Sequence, residues 1–111
     1  MNAGSLVLLH LTEPKERYWG LLLSLGPAGA TLRGIDVAVF DDWARQCRTE
    51  GEAELGISTL FVPMRRVEKI FEDARIGSVA SYAERFFEIV GRDVREVLHV
   101  APLPDEGARP N

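Results

Sequence analysis

Two glycines inside strands constrain the fold of this chain more than any other feature of its sequence. Residues 18–26 and 30–36 are both rich in strand-forming side chains, and Gly26-Pro27-Ala28-Gly29 joins them. Pro27 pre-sets φ for a tight turn and Gly29 supplies backbone freedom, so the two segments make a hairpin. Each arm carries an interior glycine, Gly20 in the first and Gly34 in the second. Glycine within a strand marks a bulge, a sharp bend or a close approach of backbones. A hairpin with one in each arm predicts a strongly curved sheet.

Three further strands are expected. Residues 5–12 place Leu6, Leu8 and His10 on one face and Val7, Leu9 and Leu11 on the other. Both faces are apolar, which predicts a strand covered on both sides or lying in an interface. In the second strand, alternation sets Trp19, Leu21, Leu23 and Leu25 against Tyr18, Gly20, Leu22 and Ser24. Glu13-Pro14-Lys15-Glu16-Arg17 is the charged connection before it. Residues 57–62, β-branched and aromatic, read as the fourth strand. Residues 64–73 admit two readings. Met64, Val67, Ile70 and Phe71 suit a helix opened by Pro63, whereas residues 67–73 suit a fifth strand entered through a turn at 63–66.

Phe40, Trp43, Ala44 and Cys47 recur at the spacing of one helical face, with Asp41 as N-cap and Asp42 adding charge to the first turn. An acidic loop is expected over residues 49–56. Ser81 and Glu84 form a capping-box pattern ahead of Tyr82, Phe86, Ile89 and Val90, which share one face, while Phe87 widens it. Gly91 suits the end of that helix, and Asp93 can cap a further turn carrying Val94, Val97 and Leu98. The fold class is therefore mainly β with added helices (α+β). A single domain is expected over residues 1–100, with a flexible, proline-containing tail over 101–111.

The order of strand, bent strand, tight turn, bent strand, insertion, strand, sharp turn, strand resembles the five-stranded Sm-like (Sm/LSm) small β-barrel family. The residues that carry the resemblance are Tyr18-Trp19-Gly20-Leu21-Leu22 and Phe61-Val62-Pro63-Met64-Arg65-Arg66-Val67-Glu68-Lys69-Ile70, and it spans roughly residues 5–73. It implies a strand rather than a helix over 67–73. It also implies assembly into rings by pairing the fourth strand with the fifth of a neighbour. The short helix between strands three and four and the C-terminal helix are additions to the family pattern. Members bind RNA partly through an Asp/Asn-bearing turn between strands two and three, and here that turn has neither residue. Arg65 and Arg66 fall where the family's second RNA-binding loop lies.

Composition bears on function chiefly through charge. Among 111 residues, 13 Lys and Arg stand against 17 Asp and Glu, a net −4, whereas nucleic-acid binders carry a basic surplus. The one basic concentration, Arg65, Arg66, Lys69 and Arg75, is interleaved with Glu68, Glu72 and Asp73. No apolar run is long enough to span a membrane. The absence of a basic, signal-like N-terminus and the single cysteine lead to the expectation of a cytoplasmic protein.

Cys47 with His10 or His99 is a conceivable nucleophile and base, yet Cys47 lies on an apolar helical stripe and reads as structural. Asp41 and Asp42, or Glu50, Glu52 and Glu54, could gather a cation, but they read more simply as a helix start and a solvated loop. Neither metal nor cofactor is expected. Trp19, Trp43, Tyr82, Phe86 and Phe87 read as core or subunit interface. The sequence thus predicts a non-catalytic, self-associating small β-barrel serving as an assembly or interaction module, a homo-oligomer without membrane attachment. The alternative is an RNA-binding Sm-like ring using Arg65 and Arg66.

Overall fold

The computed structural model describes residues 1–50 and 56–98. Five strands, β1 (Leu6–Leu11), β2 (Glu16–Gly26), β3 (Gly29–Asp36), β4 (Ser58–Pro63) and β5 (Val67–Glu72), form one antiparallel sheet in the order β4-β3-β2-β1-β5. Three helices accompany it: α1 (Phe40–Glu50), α2 (Tyr82–Val90) and α3 (Val94–Val97). The fold is α+β. Residues 64–73 resolve to the strand reading, with a 3₁₀ turn at Met64–Arg66 leading into β5. The sheet is not closed, because β4 and β5 do not pair; the expected barrel is an open, curled sheet.

The curl originates where β2 and β3 cross at their glycines. Gly20 is paired directly with Gly34. A Cβ on Gly20 would lie 2.3 Å from the Arg33 carbonyl oxygen, and one on Gly34 would lie 2.2 Å from that of Trp19. Only bare backbone fits on both sides of this pair.

Bending divides the apolar residues between two cores. Val7, Leu9, Leu11, Leu22, Ala30, Leu32 and Val62 form the inner one, with Val67 and Ile70 packed against it. All five strands contribute to this cluster and, among the described residues, no helix does. The curvature of the sheet is what keeps water from it. The outer core lies between the opposite sheet face and the helices. Trp19 and Ile35 meet Phe40, Trp43, Ala44 and Cys47 of α1, Phe86 of α2, and Val94 and Leu98 of the α3 segment, while Leu6 and Leu8 pack at its margin. The two apolar faces of β1 are therefore both covered within one chain.

Two bulges alter the expected alternation. Between Leu22 and Ser24 the β2–β3 register shifts by one residue, so Leu25 pairs with the inward-facing Ala30. Leu25 thus leaves the face of Trp19 and Leu21, contrary to simple alternation, because the extra residue at Leu23 reverses the phase beyond it. A second shift between His10 and Leu11 leaves Glu68 as the extra residue of β5, which brings Val67 opposite Leu11 and Ile70 opposite Leu9. Val67 and Ile70 then face inward although three positions apart.

Asp41 does not cap α1. A 3₁₀ turn, Val37–Val39, precedes the helix, and the Asp36 carboxylate accepts from its Ala38 N–H at 2.8 Å. Helical geometry thus starts earlier than expected, placing Asp41 in the first turn of α1, where its carboxylate accepts from Arg85 of α2. The Arg85 guanidinium also stands 5.9 Å from the centre of the Phe40 ring and 5.8 Å from that of Tyr82. α1 runs through Glu50, three residues past Cys47, so Thr49 and Glu50 are helical rather than loop. The remainder of the expected acidic loop and the tail over 101–111 lie largely or wholly outside the described residues.

α2 begins as its capping box predicts. Ser81 Oγ accepts from Glu84 N at 3.0 Å, and Glu84 Oε1 accepts from Ser81 N at 2.8 Å. Gly91 closes the helix in the left-handed conformation at φ 83°, and the Asp93 side chain caps α3. A second carboxylate, Asp73, reaches α2 from the end of β5. Its oxygens accept from Tyr82 N and Ala83 N at 2.9 Å each and from Trp19 Nε1 at 3.0 Å. One side chain thereby ties the first turn of a helix to the middle of β2.

Gly34→Ala should destabilise the fold by about 3 kcal/mol, since the new methyl overlaps a strand backbone that cannot rotate away; urea unfolding at constant m would show it. Asp73→Ala should cost about 2–3 kcal/mol by leaving three donors short of a charged acceptor. A thermal melt unchanged from wild type would remove Asp73 from that role.

Candidate functional site

The most distinctive surface is the pair of open strand edges. Among the described residues, β4 is paired only with β3, and β5 only with β1. Each edge therefore presents a row of backbone N–H and C=O groups without a strand partner, a template for another chain. The two edges are guarded differently. β5 carries Glu68, Lys69 and Glu72, all exposed, and is bulged at Glu68. Charge and bulging are the usual protections of an edge strand. β4 is Ser-Thr-Leu-Phe-Val-Pro, without a charge, and its Phe61 side chain is 56% exposed. Leu25 and Met64 are further exposed apolar residues on the adjoining β2–β3 and β4–β5 turns or their flanks.

The turn between these edges carries the two candidate RNA-binding residues, and it treats them unlike. Arg66 Nε donates to the Thr12 carbonyl at 3.1 Å. Its Nη2 donates to the Pro14 carbonyl at 2.7 Å and to Glu16 Oε1 at 3.0 Å. The guanidinium thus fastens the β1–β2 connection, which contains a cis Glu13–Pro14 peptide, to the far turn. Arg65 is exposed. The other two cations of the cluster lie apart: Lys69 pairs across the ladder with His10, and Arg75 bridges to Glu84 at 3.3 Å. The basic concentration seen in sequence is dispersed over the surface.

His10 opens into a groove of about 550 Å³ whose walls include Lys15, Arg17, Asp36 and Glu68 beside Leu11, Val37 and Ala38. Its ring meets Phe71 edge-on, with centroids 4.9 Å apart. Burial, and then the positive charges of Arg17 and Lys69, push its pKa below the usual 6.5 against a weaker opposing pull from Glu68. Tyr18 on the neighbouring strand has its phenol pKa raised, first by burial and then by Glu16 and Asp36.

The remaining candidates are not gathered into a site. Cys47 is buried in the outer core, whereas His10 faces the groove beside β5. His99 lies outside the described residues, as do Glu52 and Glu54. Asp41 is engaged by Arg85 and Asp42 by Arg45 at 2.8 Å. Among the described residues no three His, Cys, Asp or Glu side chains are grouped as metal ligands, and no helix is long and apolar enough to cross a membrane. Trp19, Trp43 and Phe86 fill the core as expected, with Tyr82 at its edge. Phe87 does not; it is 59% exposed on α2. Its position one residue beyond the buried stripe of Phe86 is the only sequence signal that marks it.

Compared with known proteins, the chain matches no family model, no curated protein and no solved structure.

The direction of the His10 shift sets a pH dependence. The folded chain favours the neutral ring, so on acidification the unfolded chain takes up this proton first. The stability this group contributes is complete above about pH 6.5 and is lost as the pH falls through the lowered folded-state value. The melting temperature should therefore decline on acidification below about pH 6.5, and His10→Gln should flatten that decline. A variant and wild type with superimposable pH profiles would exclude His10 as its source.

Proposed function

We propose that this chain is a non-catalytic, self-associating module of the Sm-like small-barrel type, in which the open edge of β4 in one copy pairs with the open edge of β5 in the next. The observation that carries this reading is that, among the described residues, one sheet ends in two unpaired edges, one of them uncharged. Such a contact joins different surfaces on the two partners, so it repeats and closes into a ring when the rotation allows. The strand order, the bend at Gly20 and Gly34, and the three-residue turn between β4 and β5 support the same reading. Phe61, exposed on β4, gains a covered environment when that edge is occupied.

The reading as an RNA-binding ring is supported by Arg65, exposed on the turn between the two edges. It draws less from Arg66, whose guanidinium holds Thr12, Pro14 and Glu16. An acidic chain of net −4 also offers phosphates little long-range attraction.

Light scattering of the full chain should return a discrete multiple of the protomer mass. Phe61→Lys, which places a charge on the unguarded edge, should shift it toward the protomer. A monomer at micromolar concentration in the wild type would overturn the assembly reading. In the same samples, Arg65→Glu should leave the mass unchanged. A salt-sensitive RNA mobility shift that this substitution abolishes would favour the ring that binds RNA.

A further inference from the structure

A second exposed apolar surface lies away from the strand edges, on the helical side of the molecule. A cleft of about 440 Å³ opens beside α2 and α3, with Ala83, Phe87 and Val94 contributing apolar surface. The Phe87 ring is 59% exposed there although most other aromatics of α2 and the sheet are covered. On the segment that enters α2, a small hairpin closed by reciprocal Ile76 and Val79 backbone hydrogen bonds leaves those side chains 71% and 67% exposed. Packing among the described residues leaves three large apolar side chains largely in water over a short stretch.

The charges at the cleft select among occupants. Glu84, Glu88 and Asp93 border it, and Arg75 is the one cation. Arg75 is committed to Glu84 by their ion pair, while the Asp93 carboxylate accepts from Arg95 N. The residues that line the cleft are therefore net negative. An anionic lipid surface would be repelled by that rim. A peptide segment with an apolar anchor and flanking Lys or Arg is complementary on both counts: its side chain fills the cleft while its cations face Glu88 and Asp93.

We infer that this cleft docks a basic, apolar-anchored segment of a partner protein. None of the residues lining it belongs to β4 or β5.

The test uses the full chain and a fluorescein-labelled synthetic peptide with Leu and Phe at helical spacing and Lys elsewhere, read by fluorescence anisotropy. Saturable binding is expected, weakened about tenfold by Phe87→Ser and again by Glu88→Lys, as for a central anchor and a facing charge. The same peptide with every Lys replaced by Glu should not bind. Because Glu88 is exposed, its variant tests the cleft even if loss of Phe87 disturbs folding. Absence of saturable binding, or equal affinity in wild type and Glu88→Lys, would overturn the proposal. So would a self-association that Phe87→Ser and Glu88→Lys both abolish, which would make a second copy the occupant. Co-sedimentation with anionic vesicles that depends on Phe87 would overturn it in favour of a membrane.

Discussion

The close approach of two strand backbones at Gly20 and Gly34 is the constraint from which the rest of this architecture follows. A flat five-stranded sheet of this length would need a second layer on each face. Bringing β2 and β3 together without side chains lets the sheet turn sharply enough to enclose its own inner face. That leaves only the outer face for the helices to cover, a task within reach of three short ones. It also determines where the edges fall: a sheet that curls without closing ends in two free strands, and here a single 3₁₀ turn connects them.

Covering the outer face depends on holding short helices at the right angle. α3 is barely one turn and α2 fewer than three, so neither is stable by its own propensity. Their geometry is imposed by polar contacts at the ends. Asp73 binds both the first turn of α2 and the indole of Trp19, and Arg85 joins α2 to α1 while lying beside Phe40 and Tyr82. Each is a charged group at the margin of an aromatic core, where its partners are partly shielded from water and the hydrogen bonds are correspondingly stronger.

Sequence pattern conveyed the strands, the bend, the capping box and the aromatic core, since those rest on local chemistry and on alternation. It failed where a bulge changed the phase. The spacing of Val67 and Ile70 imitates a helix because the extra residue at Glu68 turns a period of two into a step of three, and the bulge at Leu23 misplaces Leu25 in the same manner. Long-range partners were equally hidden. Nothing near Arg66 announces that its guanidinium is used by residues 50 positions and more away, and nothing near Asp41 announces Arg85. Phe87, beside the buried Phe86, could be distinguished from core only in three dimensions.

The two cores also differ in what they contain. Trp19 and Trp43, the chain's only tryptophans, both lie in the outer core between sheet and helices, and the inner core has none. Intrinsic fluorescence of this protein is consequently a one-sided signal. It reports whether the helical layer is seated on the sheet, and it is nearly blind to the state of the aliphatic interior enclosed by the strands. Loosening of that interior would appear instead in amide exchange on β1 and β3, and the two probes together would reveal whether the halves of so small a protein melt as one.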